Sequence, residues 1–540
     1  MEQMPTSKEL NHLGLVAAMI DQLGIVERID SRVPQDLQDR HVSVGMGVKA
    51  MIINCLGFNQ RTLYMVSSFF EHLPVDMLLG PSVQSAHLND SVLGRILDAI
   101  YDYGCTKLYS DLAPGICERL GLTPTELCMD STDFHLDGTY NSQMDLPEGS
   151  KVLHLTRGYS RDHRPDLNQV VLNLIVENRA GIVLHMEGLS GNQSDKTTFR
   201  ETITNYIAQL QTTYEVADLL MDSAGYCAQT IQRISDTINW ISRVPETIKE
   251  ARIAIEADGE MKELSPGYRY RMTTSNYAGV EQRWAIIHSQ ESYQKELITL
   301  KKNYLKASEK SLKAFEKIDH QKFSCEADAR KYLQEFVKKH PNISIQNASI
   351  QAVAQYEKQG RPSKDAQPTH YIYQIQGDCA SNVEDFERLA QSKGKFIIAT
   401  NNLDKNKTPD DQLLTKYKSL SKVERGFRFL KDPQFIASSF FVKKPERVEA
   451  LLFIMTLCLS VYAGIEYQIR QELIKQQETL PNQLKKQVQN PTTRWVFAMM
   501  AGIHVLYTND NQSIILNLTE TKNKIINLLG PFAKKYYFRV

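Results

Sequence analysis

The sequence predicts an α/β protein in which a mixed β-sheet follows an all-α N-terminal region. Residues 8–120 repeat apolar residues at helical spacing, which predicts several helices there. The pattern then changes to short apolar or β-branched runs that are typical of strands, at residues 126–129, 169–177, 181–187 and 215–221. A helix opened by a Ser/Asp cap is expected at 194–210. The order strand, strand, strand, helix, strand therefore predicts one mixed sheet.

Five regions are expected along the chain. Residues 293–339 form a long Lys-rich helical pattern that is too polar for a central core, so an insertion is expected to leave the sheet and to return to it at the strand 395–400. The regions are a helical domain at 1–120, the first part of the sheet domain at 121–245, the insertion with strands and helices at 246–390, the second part of the sheet domain at 391–476, and a helical region at 477–540.

The composition is that of a globular protein. Of 540 residues, 42% are hydrophobic and 23% are charged, which excludes a disordered chain. The eight cysteines form no C-x-x-C pair, so neither a zinc ribbon nor a thioredoxin-type site is indicated. Net charge is zero, but residues 1–120 have 9 basic and 14 acidic side chains, whereas residues 401–540 have 21 and 12. The basic C-terminal part suggests a polyanion surface, although charge alone favours the simpler explanation, a solvated charged face.

One apolar stretch raises the question of a membrane span. Residues 450–465 are free of charge, but these 16 residues are fewer than the 20 or so that a spanning helix needs. A buried core helix and no membrane partner are therefore expected. The N-terminus lacks the charged-then-apolar order of a secretion signal, and a cytoplasmic location is expected.

Two aspartates stand where predicted strands end. Asp130 follows the run 126–129, and Asp222 follows the run 215–221. Carboxylates at strand ends face the clefts that loops form at the edge of a sheet, and two of them can converge on a divalent metal such as Mg²⁺. Each aspartate alone could equally be a helix or turn cap.

A third carboxylate stands among cations. Residues 416–431, KYKSLSKVERGFRFLK, contain six basic residues and one acid, Glu424. Tyr417, Glu424 and Lys431 are seven residues apart and would share one face of a helix, with Arg428 close by. This arrangement fits a metal ligand whose neighbours hold nucleic-acid phosphates. A salt-bridged surface helix is the alternative.

Together, these features resemble the DDE transposases of bacterial insertion sequences. In the superfamily of insertion sequence four, the glutamate stands in the pattern Y-x2-R-x3-E-x6-K. Tyr417, Glu424 and Lys431 match this pattern, whereas Leu420 stands at the arginine position. Arg425 or Arg428 could substitute for that arginine.

Other segments extend the resemblance over nearly the whole chain. Residues 158–169, GYSRDHRPDLNQ, are similar to the family segment G-x-S-x-D-x-R-P-D-L-x-Q, and residues 191–195, GNQSD, are similar to its G-N-x-x-D step. The wide gap between Asp222 and Glu424 is expected where these enzymes have a β-rich insertion. Residues 1–120 resemble the helical domain of the insertion sequence 1634 group.

The resemblance implies a ribonuclease-H-like catalytic domain and a reaction on DNA. Asp130, Asp222 and Glu424 would be the catalytic metal ligands, holding two Mg²⁺ or Mn²⁺ ions. Water would attack first, and the exposed 3′-hydroxyl would then attack target DNA. Such enzymes act as homodimers or larger complexes on double-stranded DNA, at element ends and target.

The resemblance also implies DNA contacts around the triad. Tyr417, Arg425, Arg428 and Lys431 would hold phosphates near the cut. Trp284, in the insertion, could stack on an unpaired base, although packing within the insertion is the simpler explanation.

Asp133, the second acid of a D-x-x-D pair with Asp130, is expected to be structural.

Three alternatives to a transposase are open at this point. A nuclease of the same fold would have the same triad, and a non-catalytic DNA-binding relic or a helical scaffold protein would need none of it. The strand-ending aspartates argue against a scaffold.

Overall fold

The computed structural model describes residues 6–36, 40–58, 63–136, 152–158, 164–193, 202, 206–318, 320–357, 367–420, 426, 429, 431, 442, 444–508 and 512–538. The chain divides into two compact units. The first contains Met1–Arg243, Asn276–Gln282 and Thr400–Val540, and the second contains Val244–Ser275 and Arg283–Ala399.

The strands of the described residues are, in chain order, β1 Thr6–Glu9, β2 Glu126–Leu136, β3 Asn168–Glu177, β4 Val183–Ser190, β5 Asp218–Met221, β6 Asn239–Val244, β7 Lys262–Ser265, β8 Tyr268–Tyr277, β9 Val280–Ser289, β10 Ile343–Gln355, β11 His370–Ser381, β12 Lys395–Thr400, β13 Leu480–Pro481, β14 Gln487–Val488, β15 His504–Tyr507 and β16 Ser513–Leu516.

The α-helices are α1 Leu13–Leu23, α2 Ile25–Asp30, α3 Val44–Leu56, α4 Val66–Glu71, α5 Val75–Leu79, α6 Asp90–Tyr103, α7 Cys105–Arg119, α8 Ala228–Ile234, α9 Lys249–Glu256, α10 Gln290–Glu316, α11 Glu326–Lys339, α12 Val383–Gln391, α13 Leu413–Lys418, α14 Pro445–Lys475, α15 Thr493–Met499, α16 Glu520–Leu529 and α17 Pro531–Tyr537. Residues 206–213 are also helical, and the rest of the helix expected at 194–210 lies largely outside the described residues.

The first unit contains a mixed sheet with the strand order β4-β3-β2-β5-β6. β2 pairs antiparallel with β3, which pairs antiparallel with β4. On its other side β2 pairs in parallel with β5, and β5 pairs in parallel with β6. The predicted mixed sheet is therefore confirmed, with the strand that precedes Asp222 beside the strand that contains Asp130.

The first strand of this sheet is longer than predicted. The prediction ended it at Met129, but β2 continues to Leu136 and pairs with β3 along that length. The second half of β2 contains several polar residues, yet Thr132 and Asp133 are each only 5% exposed. Polar side chains that find partners inside the protein can occupy a buried strand, and an apolar pattern cannot reveal them.

One strand of the sheet was missed. β6, with the sequence NWISRV, has Trp240 and Ile241 fully buried. Its start is fixed by Asn401, whose Oδ1 accepts the backbone N–H of Trp240 at 2.8 Å. Asn401 directly follows the strand predicted at 395–400, which is present as β12.

The N-terminal region is not all helical, which corrects the prediction. β1 pairs antiparallel with β15, and β15 pairs antiparallel with β16. The C-terminal region, predicted to be helical, therefore supplies two strands of a three-stranded sheet whose third strand is N-terminal. Hydrogen bonds across this sheet explain why β1, with the sequence TSKE, is a strand although its side chains show no strand pattern.

A buried ion pair in the N-terminal region and a tyrosine hydroxyl near the C-terminus join the two ends of the chain. Lys49 of α3 lies 2.5 Å from Asp21 of α1, and the hydroxyl of Tyr536 in α17 donates to the same carboxylate at 2.6 Å. Burial lowers the pKa of Lys49, and the charge of Asp21 offsets only part of this effect. Next to it, Tyr537 donates to the carbonyl of Asn11 at 2.6 Å.

The helix α14 runs through the core of the first unit. Most of its apolar stretch is buried, and its Ser460 is hydrogen-bonded to Tyr109 at 2.7 Å. By length and composition α14 could cross a membrane, but it is packed inside the protein, as predicted for residues 450–465.

A carboxyl group is also buried at the start of α14. Burial raises the pKa of Glu449 to about 7, and the nearby Glu187 of β4 adds to the shift. Glu449 lies against the backbone of β4, since a Cβ placed on Gly188 would come within 3.2 Å of its Cγ.

The second unit has its own strands and core. Its strands run in the order β12-β9-β8-β7, and β10 and β11 form a separate antiparallel hairpin. The Lys-rich stretch forms two helices, α10 and α11, as predicted. One difference concerns the boundary at residue 390, because Lys395–Ala399 of β12 also belong to the second unit.

We expect Lys49→Met to lower the free energy of unfolding by about 3 kcal/mol, because it leaves the carboxylate of Asp21 buried without its counter-charge. Lys535 also faces Asp21, at 4.0 Å, but its side chain is 73% exposed. Lys535→Met should therefore cost less than about 1 kcal/mol. Denaturant titrations measure both, and equal losses would contradict the role assigned to Lys49.

Glu449 should make stability depend on pH. Its pKa is raised from 4.5 to about 7, so the folded protein holds a proton that the unfolded chain releases in this interval. Stability contributed by this group is therefore lost as pH rises from about 4.5 to about 7. Glu449→Gln should raise the melting temperature more at pH 8 than at pH 5, and Glu446→Gln, one turn earlier, serves as the matched control. An equal gain at both pH values would contradict this.

Candidate active site

Asp130 and Asp222 leave neighbouring strands at the same level. Met129 of β2 is paired with Met221 of β5, and each aspartate is the next residue. Because the strands are parallel and adjacent strands lie about 4.8 Å apart, the two carboxylates emerge side by side. Two metal ions bound about 4 Å apart would need carboxylates at such spacing.

Local hydrogen bonds fix both aspartates. The Oδ1 atom of Asp222 accepts the backbone N–H groups of Ala224 at 2.9 Å and Gly225 at 3.3 Å, which closes a turn at the end of β5. The hydroxyl of Ser242 in β6 donates to the carbonyl of Asp222 at 3.0 Å. Asp130 accepts the N–H of Ser131 at 2.8 Å.

Lys416 links helix α13 to the first residues of β2 and β5. The Nζ atom of Lys416 in α13 lies 2.8 Å from Glu126 and 2.6 Å from Asp218, the paired first residues of β2 and β5. Burial lowers the pKa of Lys416, but its hydrogen bonds to both carboxylates outweigh this effect and raise it overall. No motif in the sequence marks any of these three residues. An acid at the start of each strand and a lysine beside Tyr417 were the signals available.

The contacts of Lys416 lie on the same face of the sheet as Asp130 and Asp222. Side chains alternate along a strand, so Glu126 and Asp130 point to the same face of β2. Asp218 and Asp222 have the same spacing on β5. The helix that contains Lys416 and Tyr417, which is half-buried, therefore lies on the face from which both aspartates project.

Lys431, for which the resemblance implies a phosphate contact, faces an aspartate in the structure. Its Nζ atom lies 3.2 Å from Oδ1 of Asp133, whose Oδ2 is 3.6 Å from Nε2 of His135. Asp133 is 5% exposed and has the opposite parity to Asp130 along β2. Because β5 pairs with β2 only as far as Met129, Lys431 can reach Asp133 past the end of β5. Asp133 thus has structural partners, and the charge of Lys431 is already engaged.

Two residues near the predicted glutamate pack on α14. Gly426 and Phe429 are helical, and the ring of Phe429 stacks on Tyr462 with 4.0 Å between centroids. A Cβ on Gly426 would lie 3.2 Å from the side chain of Leu459, so glycine allows the close approach.

Glu424, Arg425 and Arg428 lie outside the described residues. Among the residues that the structure describes, no group of three or more His, Cys, Asp or Glu side chains is arranged to hold a metal. Asp130 and Asp222 alone supply hard oxygen ligands of the kind that Mg²⁺ prefers, so the donor chemistry at this edge fits that ion.

Trp284 is not available to DNA, which corrects the suggestion that it stacks on a base. It lies in β9 and is 1% exposed. Stacking on an unpaired base needs an open ring face. The burial of Trp284 is what the simpler explanation, a packing role, requires.

The two other segments that carry the family resemblance, residues 158–169 and 191–195, contact each other near the start of β3. The side-chain amide of Gln169 donates to the carbonyl of Gly191 at 2.8 Å, and Gln169 is 1% exposed. A Cβ on Gly158 would lie 1.9 Å from that same carbonyl oxygen. Both glycines are therefore required by close backbone approach, and this junction braces β3 and β4.

One structural neighbour illustrates the similarity to solved structures. It is a piggyBac transposase in a synaptic complex with hairpin DNA, with 7% sequence identity and a TM-score of 0.39. The match covers 99% of this chain and 84% of that chain, and a TM-score this low supports no conclusion. None of the curated proteins matches the sequence.

Two family matches together span most of the chain. Residues 5–114 match a domain of unknown function, DUF4277, and residues 121–461 match the family described as "Transposase DDE domain". The second match covers more than half of the 540 residues and includes Asp130, Asp222 and Lys416. The chain therefore belongs to the DDE transposase family, and it is a DDE transposase.

Proposed function

We propose that this transposase cleaves DNA and transfers strands at the ends of an insertion sequence, with Asp130, Asp222 and Glu424 as catalytic residues. The observation that carries the proposal is the parallel register of β2 and β5, which sets Asp130 beside Asp222. No covalent protein–DNA link is required, because paired carboxylates act by holding metal and not by attacking the substrate.

Two described contacts bracket Glu424 and support its inclusion. Lys416, eight residues before it, is bound at the start of β2, and Lys431, seven residues after it, is bound to Asp133 farther along the same strand. Both ends of the segment that contains Glu424 are therefore held against the same strand.

The distances agree with a helix along that path. A strand advances about 3.3 Å per residue, so Asp130 lies about 13 Å beyond Glu126 and Asp133 about 23 Å beyond it. A helix rises about 1.5 Å per residue, so Glu424 would come about 12 Å beyond Lys416 and Lys431 about 22 Å beyond it. A helical path from 416 to 431 would thus bring Glu424 level with Asp130.

The helix phase supports the same arrangement. Gly426 packs against Leu459 of α14. Residues two apart on a helix are about 200° apart around its axis, so Glu424 would point away from α14. A helix of that phase, with Lys416 on the aspartate face of the sheet, would turn Glu424 toward Asp130 and Asp222.

The proposed cofactor is a pair of Mg²⁺ or Mn²⁺ ions held by the three carboxylates. When bound, such ions activate the attacking oxygen and stabilise the leaving oxygen of a phosphoryl transfer. The turn at Asp222 and the bridge at Lys416 would keep the carboxylates in place, so that little reorganisation is needed during the reaction.

The remaining residues of the motif would hold the substrate. Tyr417 lies on α13, next to Lys416, and we assign phosphate contacts to it and to Arg425 and Arg428. We assign Lys431 a positioning role, because its ammonium group faces Asp133.

The finer classification is part of this proposal. The order of antiparallel and parallel strands supports a ribonuclease-H-like sheet, and the N-terminal match together with Tyr417, Glu424 and Lys431 supports the insertion sequence 1634 group. We also propose that the enzyme acts on double-stranded DNA as a homodimer, which the mass of the DNA complex in light scattering would test.

Asp130→Asn, Asp222→Asn and Glu424→Gln should each reduce cleavage of DNA containing element ends by at least about 100-fold in Mg²⁺ or Mn²⁺. DNA binding should change little, because affinity for the duplex comes mainly from Lys and Arg contacts to phosphate. Gel assays of cleavage and of joining to target DNA, with anisotropy for binding, measure these effects.

Asp236→Asn is the matched control for these variants. Asp236 is exposed, in the turn before β6, at the opposite end of the parallel strands from Asp222. The Asp236→Asn variant should cleave DNA at the rate of the parent enzyme. Full cleavage by Glu424→Gln would show that the third carboxylate is misassigned, and cleavage without joining would indicate a nuclease.

Because Lys431 faces Asp133, Lys431→Met should reduce cleavage and leave the salt dependence of DNA affinity unchanged. Asp133→Asn should have a similar effect, and the double variant should be no worse than either single variant, because both remove one interaction. If Lys431 instead held a phosphate, Lys431→Met would lower the slope of log affinity against log salt by about 0.9.

A further inference from the structure

Two helices of the second unit enclose a groove lined with lysines. α10 and α11 border a cavity of about 640 Å³. Lys310, Lys313 and Lys317 line one wall, and Lys339, at the end of α11, lines the other. The aromatic rings of Tyr332 and Phe336 form part of the floor. We call this feature the lysine groove.

Three of the lysines form a row. Lys310, Lys313 and Lys317 are three and four residues apart, so they lie along one face of α10 and its last turn. Seven residues of helix span about 10 Å. One strand of duplex DNA has a phosphate about every 3.4 Å along the axis, so the row matches about three successive phosphates.

The charges of the groove are not neutralised by the rest of the described chain. All four lysines are exposed, and none has an ion-pair partner among the residues that the structure describes. Lys295, on the same helix but outside the groove, contrasts with them because it is paired with Glu291 at 2.6 Å. Glu335 is the one acid among the lining residues described.

A partly exposed histidine lies among these positive charges. His340 borders the groove, and its Nδ1 atom lies 2.9 Å from the hydroxyl of Ser311. Burial lowers its pKa, and the charges of Lys339 and Lys310 lower it further. The two lysines on opposite walls therefore act on one point between them.

The groove rests on a packed framework. Phe336 and Ile318, which line it, belong to a core cluster with Phe315, Ile343 and Ile375. The latter two residues lie in β10 and β11, against which α11 packs. The lysines are therefore held on helices that a core fixes, and only their side chains need to be ordered when an anion binds.

We propose that the lysine groove binds the phosphodiester backbone of double-stranded DNA, without reading its sequence. This rests on the proposed function for the presence of DNA, and it assigns a DNA contact to a part of the chain far in sequence from the three carboxylates. A linear row of point charges suits a linear polyanion better than a single phosphate, which would need converging donors.

The test is the full-length Lys313→Gln/Lys317→Gln variant, titrated with a DNA duplex of arbitrary sequence at several salt concentrations. The slope of log affinity against log salt should fall by about two, and binding should weaken roughly 30-fold at about 0.15 M salt. Lys313→Arg/Lys317→Arg, which keeps the charge, should bind like the parent.

Lys295→Gln/Lys302→Gln is the matched control, with the same charge loss on the same helix but outside the groove. It should change the slope much less. If both double variants have the slope of the parent, or if both lower it equally, the groove is not a DNA site. If inorganic phosphate binds the parent at micromolar concentration and is lost in the groove variant whereas DNA binding is unchanged, the ligand is free phosphate and the proposal is wrong.

The same titration separates this inference from the proposed function. A parent enzyme that binds no DNA would overturn both. Normal DNA binding by the groove variant, together with cleavage that still depends on Asp130 and Asp222, would overturn only the groove.

Discussion

The parallel pairing of β2 with β5 is the constraint on which the candidate site depends. It aligns Glu126 with Asp218 at one end of the strands and Asp130 with Asp222 at the other. The first pair holds Lys416, and through it the helix that leads to Glu424. This single strand register therefore places Asp130 beside Asp222 and fixes the start of the segment that contains Glu424.

The rest of the first unit supports this register. β6 and Ser242 fix the turn at Asp222, and Gln169 closes the far end of the sheet against the two motif glycines. The helix α14 packs against Gly426 and Phe429. The N- and C-terminal segments are joined by the hydroxyl of Tyr536, which bonds to the ion pair of Lys49 and Asp21, and both segments belong to the unit that contains the sheet.

The sequence was informative where a pattern is local. Apolar runs predicted the strands that precede Asp130 and Asp222, and charge-free residues predicted the buried helix α14. It failed where partners are distant in the chain. β1 is a strand because of β15, the second half of β2 pairs with β3 and its Asp133 finds a partner in Lys431, and the bridge of Lys416 joins residues about 200 or more positions apart. A one-dimensional pattern can indicate none of these contacts.

The central claim is that Asp130, Asp222 and Glu424 converge on one metal site. Replacing Mg²⁺ by Fe²⁺ with ascorbate and peroxide generates hydroxyl radicals at the bound ion, and mass spectrometry locates the resulting breaks in the protein chain. Breaks should cluster near residues 130, 222 and 424, and all three should disappear in Asp130→Asn. Breaks near residues 130 and 222 without any near 424, or breaks that persist in Asp130→Asn, would contradict the account.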